Sequence, residues 1–405
     1  MPGVNLAPRS QHAKHASWTV QSSAHAILQN CVRIATCTLF RVLLWIPLGL
    51  LLGLFIAPVS LLILHLPFHH VPWWKQLIWH YAVVLHMIDM PGINTTELLA
   101  RISNWFIPDL EAALGKRDKA FSLTELPEMS VAQFTKLGTK GFRRKYHDGW
   151  VPVKVRSFAK EYCNFEQWSL QKFAEKHGDT QVYAYKNDKK TDIESIRFSE
   201  LAEKVMREEK IYARAVPQIL NQDPKLRDDL PFKEFEEMRS SLLGPTWDRN
   251  YATLQFFSAK GTWTQVHADV SCNFNIQFEG VKRWVIFPPC MAMLLYPFAK
   301  GANQFFQSSF DLSNMDLKKY PCLKYVSGYE MVMEPGDMLW LPSWWWHGVE
   351  NLTTPACAVA CDGVGIPSKL FGTNPTMSGL FMLHPSNAID FLLLGTDDMT
   401  KRWTI

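Results

Sequence analysis

The chain has 405 residues, of which 47% are hydrophobic and 20% are charged, and its formal net charge is +4. This length and apolar content allow a full core in about one to three domains, and eight cysteines are too few for a disulfide scaffold. The excess positive charge precedes Asp89, the first acidic residue, so no basic face of the main body indicates a nucleic-acid-binding protein.

The N-terminal part begins with a polar leader over residues 1–41, followed by an apolar stretch over residues 42–66. This stretch contains no Asp, Glu, Lys or Arg, and it is long enough to cross the ~30 Å hydrocarbon core as a helix. It predicts a single-pass membrane anchor. Beyond it, Trp73, Trp74 and Trp79 are typical of the aromatic belt at a membrane interface.

The orientation of this anchor is only weakly encoded. Arg33 and Arg41 on one side against Lys75 on the other favour a lumenal body in the secretory pathway. Pro47 and Pro58 allow instead a re-entrant hairpin with both ends in the cytosol. The arginine-containing, acid-free N-terminus also resembles an organellar presequence.

Residues 67–149 are predicted to form a helical connecting region, with helical periodicity from Thr95 to Phe134. Residues 150–370 are strand-rich, and short strands separated by turns predict a mainly β fold, a double-sheet jelly roll or cupin barrel with flanking helices. The tail over residues 371–405 contains a helical pattern at 379–394, which either caps the barrel or forms a homodimer face. The predicted core strands are 254–258, 265–269, 274–278, 283–287, 328–333, 338–341 and 356–360.

Two short motifs predict a metal site. His267 and Asp269 lie two residues apart on a predicted strand, so both side chains project to one face. His347 follows a Pro-Gly-Asp turn and a short apolar strand far along the chain, as a barrel interior requires if opposite strands supply the ligands. Two histidines and one carboxylate are the ligand set of non-haem Fe(II) oxygenases.

Lys282 begins the strand after the tight Glu279-Gly280 connection and returns toward His267. It either points into the barrel, where a carboxylate of a small dicarboxylic cosubstrate would pair with it, or lies exposed beside Arg283. On the preceding strand, Asn273, Asn275 and Gln277 share one face, which is either a solvent side or a polar barrel interior. The three tryptophans before His347 are predicted to form core and pocket rim.

The segments HADVSCNFNIQFEGVKRWVIFPP and EPGDMLWLPSWWWHGVEN resemble the cupin-like Jumonji C (JmjC) superfamily of Fe(II) and 2-oxoglutarate dependent oxygenases, and most closely its asparaginyl-hydroxylase branch. The resemblance covers about residues 150–365. It implies that His267, Asp269 and His347 bind Fe(II) and that Lys282 pairs with the distal carboxylate of 2-oxoglutarate. It implies further that Thr264 hydrogen-bonds this carboxylate and that Asn273 is a pocket amide.

The resemblance implies a dioxygenase that consumes O2 and 2-oxoglutarate and hydroxylates a protein or peptide side chain, with demethylation or a small-molecule substrate as alternatives. The chain departs from that branch at Asp362, where the family has an asparagine near the cosubstrate. An acid beside a dianion is unfavourable. Two further hypotheses are therefore a membrane-tethered, non-catalytic cupin module and a cupin metalloenzyme that works without 2-oxoglutarate.

Overall fold

A computed structural model describes residues 71–87, 94–186, 193–223, 225–238, 252–299, 305–364, 373, 374, 377 and 378. The predicted polar leader, the apolar stretch at 42–66 and the helical pattern at 379–394 lie outside these residues. Within the described part, no helix combines the length and the hydropathy needed to span a bilayer.

Two paired helices precede the β-rich region: α1 (Trp73–Met87) and α2 (Thr95–Leu114). Asn94 caps α2, because its side chain accepts a hydrogen bond from the backbone N–H of Glu97 at 3.1 Å. Trp79, predicted for an interfacial belt, is instead buried and stacks on Phe106 with ring centroids 5.5 Å apart. The aromatic contact holds the two helices together.

The helical periodicity from Thr95 to Phe134 does not correspond to one continuous helix. Helix α2 ends at Gly115, which adopts a φ of 78° that glycine tolerates and most other residues do not. Strands β1 (Ser122–Glu125) and β2 (Glu128–Ser130) follow, and the pattern resumes only in α3 (Val131–Phe142). The helical spacing of apolar residues in the sequence therefore extends past Gly115, although the helix itself stops there.

The other helices flank the sheets. They are a π-helical turn Arg143–His147, α4 (Phe158–Tyr162), α5 (Leu170–His177), α6 (Phe198–Met206), α7 (Gln218–Gln222), α8 (Lys225–Asp228) and α9 (Phe232–Met238), with 3-10 turns at Phe165–Gln167, Pro289–Leu295 and Pro321–Tyr325.

Two large sheets form the body, which confirms the mainly β prediction. One sheet has the strand order β1-β13-β10-β15-β8-β12-β11, and the other has the order β2-β3-β14-β9-β16-β7-β6-β4-β5. The remaining strands are β3 (Val153–Arg156), β4 (Gln181–Lys186), β5 (Ile193–Arg197), β6 (Ile211–Val216), β7 (Ala252–Ser258), β8 (Trp263–Asp269), β9 (Ser271–Glu279), β10 (Lys282–Phe287), β11 (Pro297–Ala299), β12 (Phe305–Ser308), β13 (Ser327–Met333), β14 (Met338–Leu341), β15 (Trp346–Asn351) and β16 (Ala356–Val364).

Strand β9 illustrates how the sheets divide the core. Phe274, Ile276 and Phe278 belong to an apolar cluster shared with α3, α5 and α9. Asn273 and Asn275, on the opposite face, are 5% and 6% exposed and line an internal cavity. Of the two interpretations of the polar face, a solvent side or a barrel interior, the structure supports the barrel interior.

Candidate metal centre

His267, Asp269 and His347 converge in the interior cavity. The Nε2 atoms of His267 and His347 lie 3.7 and 3.9 Å from Oδ2 of Asp269, and all three potential ligand atoms lie within 4.8 Å of one another. Strands β8 and β15 pair antiparallel with His347 directly opposite His267. The cross-strand register thus brings together side chains that are far apart in the chain.

Backbone carbonyls fix the tautomer of both imidazoles. Nδ1 of His267 lies 2.8 Å from the carbonyl oxygen of Gln265, and Nδ1 of His347 lies 3.2 Å from that of Trp345. A carbonyl oxygen only accepts hydrogen bonds, so each Nδ1 carries the proton and each Nε2 presents its lone pair toward Asp269. Hydrogen bonds from the nitrogen that does not bind the metal commonly orient histidine ligands.

Burial also keeps His347 in the neutral form that metal binding requires. Removal from water lowers the pKa of His347 to about 4, and the nearby Arg214 guanidinium acts in the same direction. The hydrogen bond to Trp345 opposes this shift only partly. Trp284 of β10 stacks over the His347 ring at 5.6 Å between centroids and fixes its plane.

A β-bulge brings Thr264 to the same cavity. His347 pairs with His267 but Val349 pairs with Thr264, so three steps along β8 match two along β15. The extra residue changes the alternation of β8 and lets Thr264 and His267 both line the cavity. The Thr264 hydroxyl donates a hydrogen bond to the Tyr212 hydroxyl at 3.0 Å.

Lys282 points inward and not to the sheet surface. The residue is 2% exposed, and its Nζ lies 5.7 Å from the centroid of the Phe256 ring. Burial lowers the pKa of its ammonium to about 8. Its neighbour Arg283 faces outward and pairs with Glu330 and Glu350. Among the described residues, no carboxylate pairs with Lys282. An anionic ligand in the cavity would therefore stabilise this buried ammonium.

Sequence reasoning did not single out several cavity residues, among them Tyr212, Arg214 and Trp284. Tyr212 and Arg214 alternate along β6 and line the cavity, and Trp284 does so from β10. The guanidinium of Arg214 lies 5.5 Å from the Tyr185 ring centroid. The spacing of Trp284 two residues after Lys282 was the available signal for one of them, whereas β6 carried no motif.

The tryptophans before His347 divide between core clusters. Trp344 and Trp346 are fully buried against the α1–α2 side, and the indole N–H of Trp344 donates to Ser378 at 2.8 Å. The indole N–H of Trp345 donates to the carbonyl of Trp150 at 3.2 Å. Their predicted place in the core is confirmed, whereas none of the three lines the cavity.

The donor set fits a divalent metal. Two imidazole nitrogens and one carboxylate oxygen meet in a cavity of about 70 Å³, which leaves space for exogenous ligands. Lys282, Asn273 and Asn275 line the same cavity, and within the described part of the chain neither the Lys282 ammonium nor the two amide Oδ1 atoms have a side-chain partner. These residues thus offer both a metal site and a binding site for a small polar ligand.

Comparison with known proteins agrees with this geometry. A family model described as "Cupin-like domain" matches residues 139–362, which is more than half of the chain. The chain belongs to the cupin-like domain family. The match includes His267, Asp269, Lys282 and His347, so the whole cavity lies inside this domain.

Several curated relatives share part of this domain. Human tRNA wybutosine-synthesizing protein 5 is 32% identical over 36% of this chain and 44% of its own length. Human HSPB1-associated protein 1 is 30% identical over 29% of this chain and 25% of its own length. JmjC domain-containing protein D of Dictyostelium discoideum is 29% identical over 34% and 32% of the two chains. The chain thus spans less than half of the length of each of these relatives.

Asp362 lies at the edge of what the structure describes. Its backbone on β16 pairs with Asn273 on β9 and with Ala252 on β7, which places the residue next to a cavity strand. Its side chain lies outside the described part of the structure.

Proposed function

We propose that the protein is an Fe(II)- and 2-oxoglutarate-dependent dioxygenase. The observation that carries the proposal is the pair of sites in one cavity, a two-histidine, one-carboxylate cluster and a buried ammonium for which the described side chains supply no carboxylate partner. A ligand that chelates the metal at one end and offers a carboxylate to Lys282 at the other would complete both. 2-Oxoglutarate has this chemistry.

Six cavity residues have a defined task in this proposal. His267, Asp269 and His347 hold the metal on one side and leave its other positions open. Lys282 neutralises the distal carboxylate, and the Thr264 and Tyr212 hydroxyls, already joined at 3.0 Å, supply hydrogen bonds beside it. Bound iron and 2-oxoglutarate would supply the oxidising chemistry, in which O2 converts 2-oxoglutarate and a C–H bond to succinate, CO2 and a C–OH group.

The outcome we favour is hydroxylation of a protein side chain, as in the asparaginyl-hydroxylase branch that the sequence resembles. The names of the relatives refer to JmjC domains, to tRNA modification and to association with another protein. Protein and tRNA substrates therefore both belong in the assay.

The alternative is a membrane-tethered cupin module that binds its ligands without turnover. The place of Asp362 opposite Asn273 favours keeping this alternative, because an acid close to the cosubstrate would weaken the binding of a dianion. Binding and turnover must therefore be measured separately.

The test compares Lys282→Met with its outward-facing neighbour Arg283→Met. We expect iron-dependent decarboxylation of 2-oxoglutarate by the full chain and by Arg283→Met, and loss of it in Lys282→Met at unchanged iron content. A folded, iron-loaded protein that binds 2-oxoglutarate but never decarboxylates it, with peptides or with tRNA, would support the non-catalytic module instead.

A further inference from the structure

The outer face of α1 is apolar where a soluble protein usually places polar residues. Its inner face packs in the core through Trp79, Ala82, Val83 and Met87. The outer face carries no acidic residue, and its exposed or half-buried side chains are Trp73, Trp74, Lys75, Gln76, Leu77, Ile78, Tyr81, Val84 and Leu85, of which only Lys75 and Gln76 are strongly polar. A helix with apolar side chains on its outer as well as its inner face is typical of one covered by protein or lipid.

A residue of α2 extends this face. Trp105 is 39% exposed, and its ring centroid lies 5.5 Å from that of Trp74. Nζ of Lys75 lies 4.9 Å from the centroid of Trp105 and forms an ion pair with Asp109 at 2.5 Å. We call the surface formed by Trp73, Trp74, Ile78 and Trp105 the tryptophan patch.

The tryptophan patch contains tryptophan side chains that are exposed to solvent. Trp73 is 74% exposed and Trp74 is 45% exposed, and together with Trp105 they are all the exposed tryptophans among the described residues. Indole rings are favoured at the headgroup level of a bilayer, because they combine a large apolar body with a polar N–H. A face of this composition fits the boundary between water and lipid.

The position of the tryptophan patch in the chain also favours contact with lipid. The charge-free stretch at 42–66 ends only seven residues before Trp73. A connection of that length spans at most about 25 Å. If the stretch enters a bilayer, the patch is held within reach of that bilayer's surface.

We propose that the tryptophan patch docks on the headgroup region of a lipid bilayer. The three indoles insert at the interface, and Ile78 contacts the outer ends of the acyl chains. This surface contributes to membrane attachment independently of residues 42–66 and limits how the cupin-like domain tilts on the membrane. The competing occupants are residues 42–66 of the same chain and a second copy of the protein.

The experiment identifies the occupant by photo-crosslinking. Trp105 or Trp73 of the full-length chain is replaced by photoreactive benzoylphenylalanine, and the protein is reconstituted in vesicles of phosphatidylcholine and phosphatidylglycerol. Position 73 is useful because its high exposure leaves the core undisturbed. The matched control is the same replacement at Tyr183, a 46% exposed aromatic residue on β4.

We expect lipid adducts from positions 105 and 73 and none from position 183. An adduct to residues 42–66, a crosslinked dimer, or lipid labelling that is equal at all three positions would each overturn the proposal. Absence of any adduct at 105 and 73 in vesicle-bound protein would do the same.

Discussion

At the scale of single residues, the cavity contains two buried nitrogen bases whose pKa values are lowered by the same cause. Loss of hydration lowers the pKa of His347 to about 4 and that of Lys282 to about 8. For His347 the result is a neutral ring with a lone pair, as a metal ligand requires. For Lys282 it is a cation that an arriving carboxylate stabilises, so binding of an anion is linked to its protonation.

This linkage predicts that 2-oxoglutarate binds more weakly as the pH rises above about 8. Below the pKa of free Lys282 the ammonium is already present, whereas above it each binding event must take up a proton. The dissociation constant, measured by calorimetry on Mn(II)-loaded protein, should rise by up to about tenfold per pH unit above 8.

Lys282→Arg is the matched control, because a guanidinium stays charged throughout this range. Its affinity for 2-oxoglutarate should be independent of pH between 7 and about 10. An equal pH dependence in the wild-type protein and in this variant would assign the effect to another group.

At the scale of elements, the tight connection between β9 and β10 directs Lys282 into the cavity. Gly280 has a φ of 75°, and a Cβ placed there would lie 2.3 Å from the carbonyl oxygen of Pro355. The turn thus packs against the chain that leads into β16. Glycine is required here both for its backbone conformation and for the close approach.

Gly280→Ala should therefore destabilise the protein more than Gly261→Ala. Gly261 has a similar φ of 76°, but a Cβ added to it would meet no atom within 4 Å, so its replacement costs only backbone strain of about 1 kcal/mol. We expect a loss of about 3 kcal/mol for Gly280→Ala in urea unfolding. Equal losses would show that the contact with Pro355 relaxes freely.

The strands of the cavity differ in how far the sequence predicted them. Period-two alternation identified the polar and apolar faces of β9, because the two faces of that strand have distinct partners. It could not find the bulge in β8, since a bulge depends on the partner strand and not on local composition. The cavity role of Thr264 therefore came only from resemblance, and Tyr212 and Arg214 on β6 were not found at all.

At the scale of the whole molecule, a metal ion would bridge β8 and β15 of the first sheet. Such a ligand binds the folded state and not the unfolded chain, so it stabilises the protein by mass action. With Mn(II) at 100 times its dissociation constant, the free energy of unfolding should rise by about 2.7 kcal/mol.

Denaturant unfolding of the full chain with and without Mn(II) measures this effect. His347→Ala removes one of the three ligands and should abolish the stabilisation, whereas His177→Ala, on α5 and outside the cavity, should retain it. A metal-induced shift that survives in His347→Ala would place the ion elsewhere.

The direct pairing of His267 with His347 has a consequence for protein synthesis. The segment between them contains β9 to β14, so a nascent chain presents the imidazole and carboxylate of β8 long before the second imidazole exists. Bringing β15 beside β8 also closes a long loop, which is entropically costly and slow. Truncated or half-folded chains therefore lack a complete binding site, and metal capture is restricted to molecules whose translation has passed Asn351 and whose central strands have assembled.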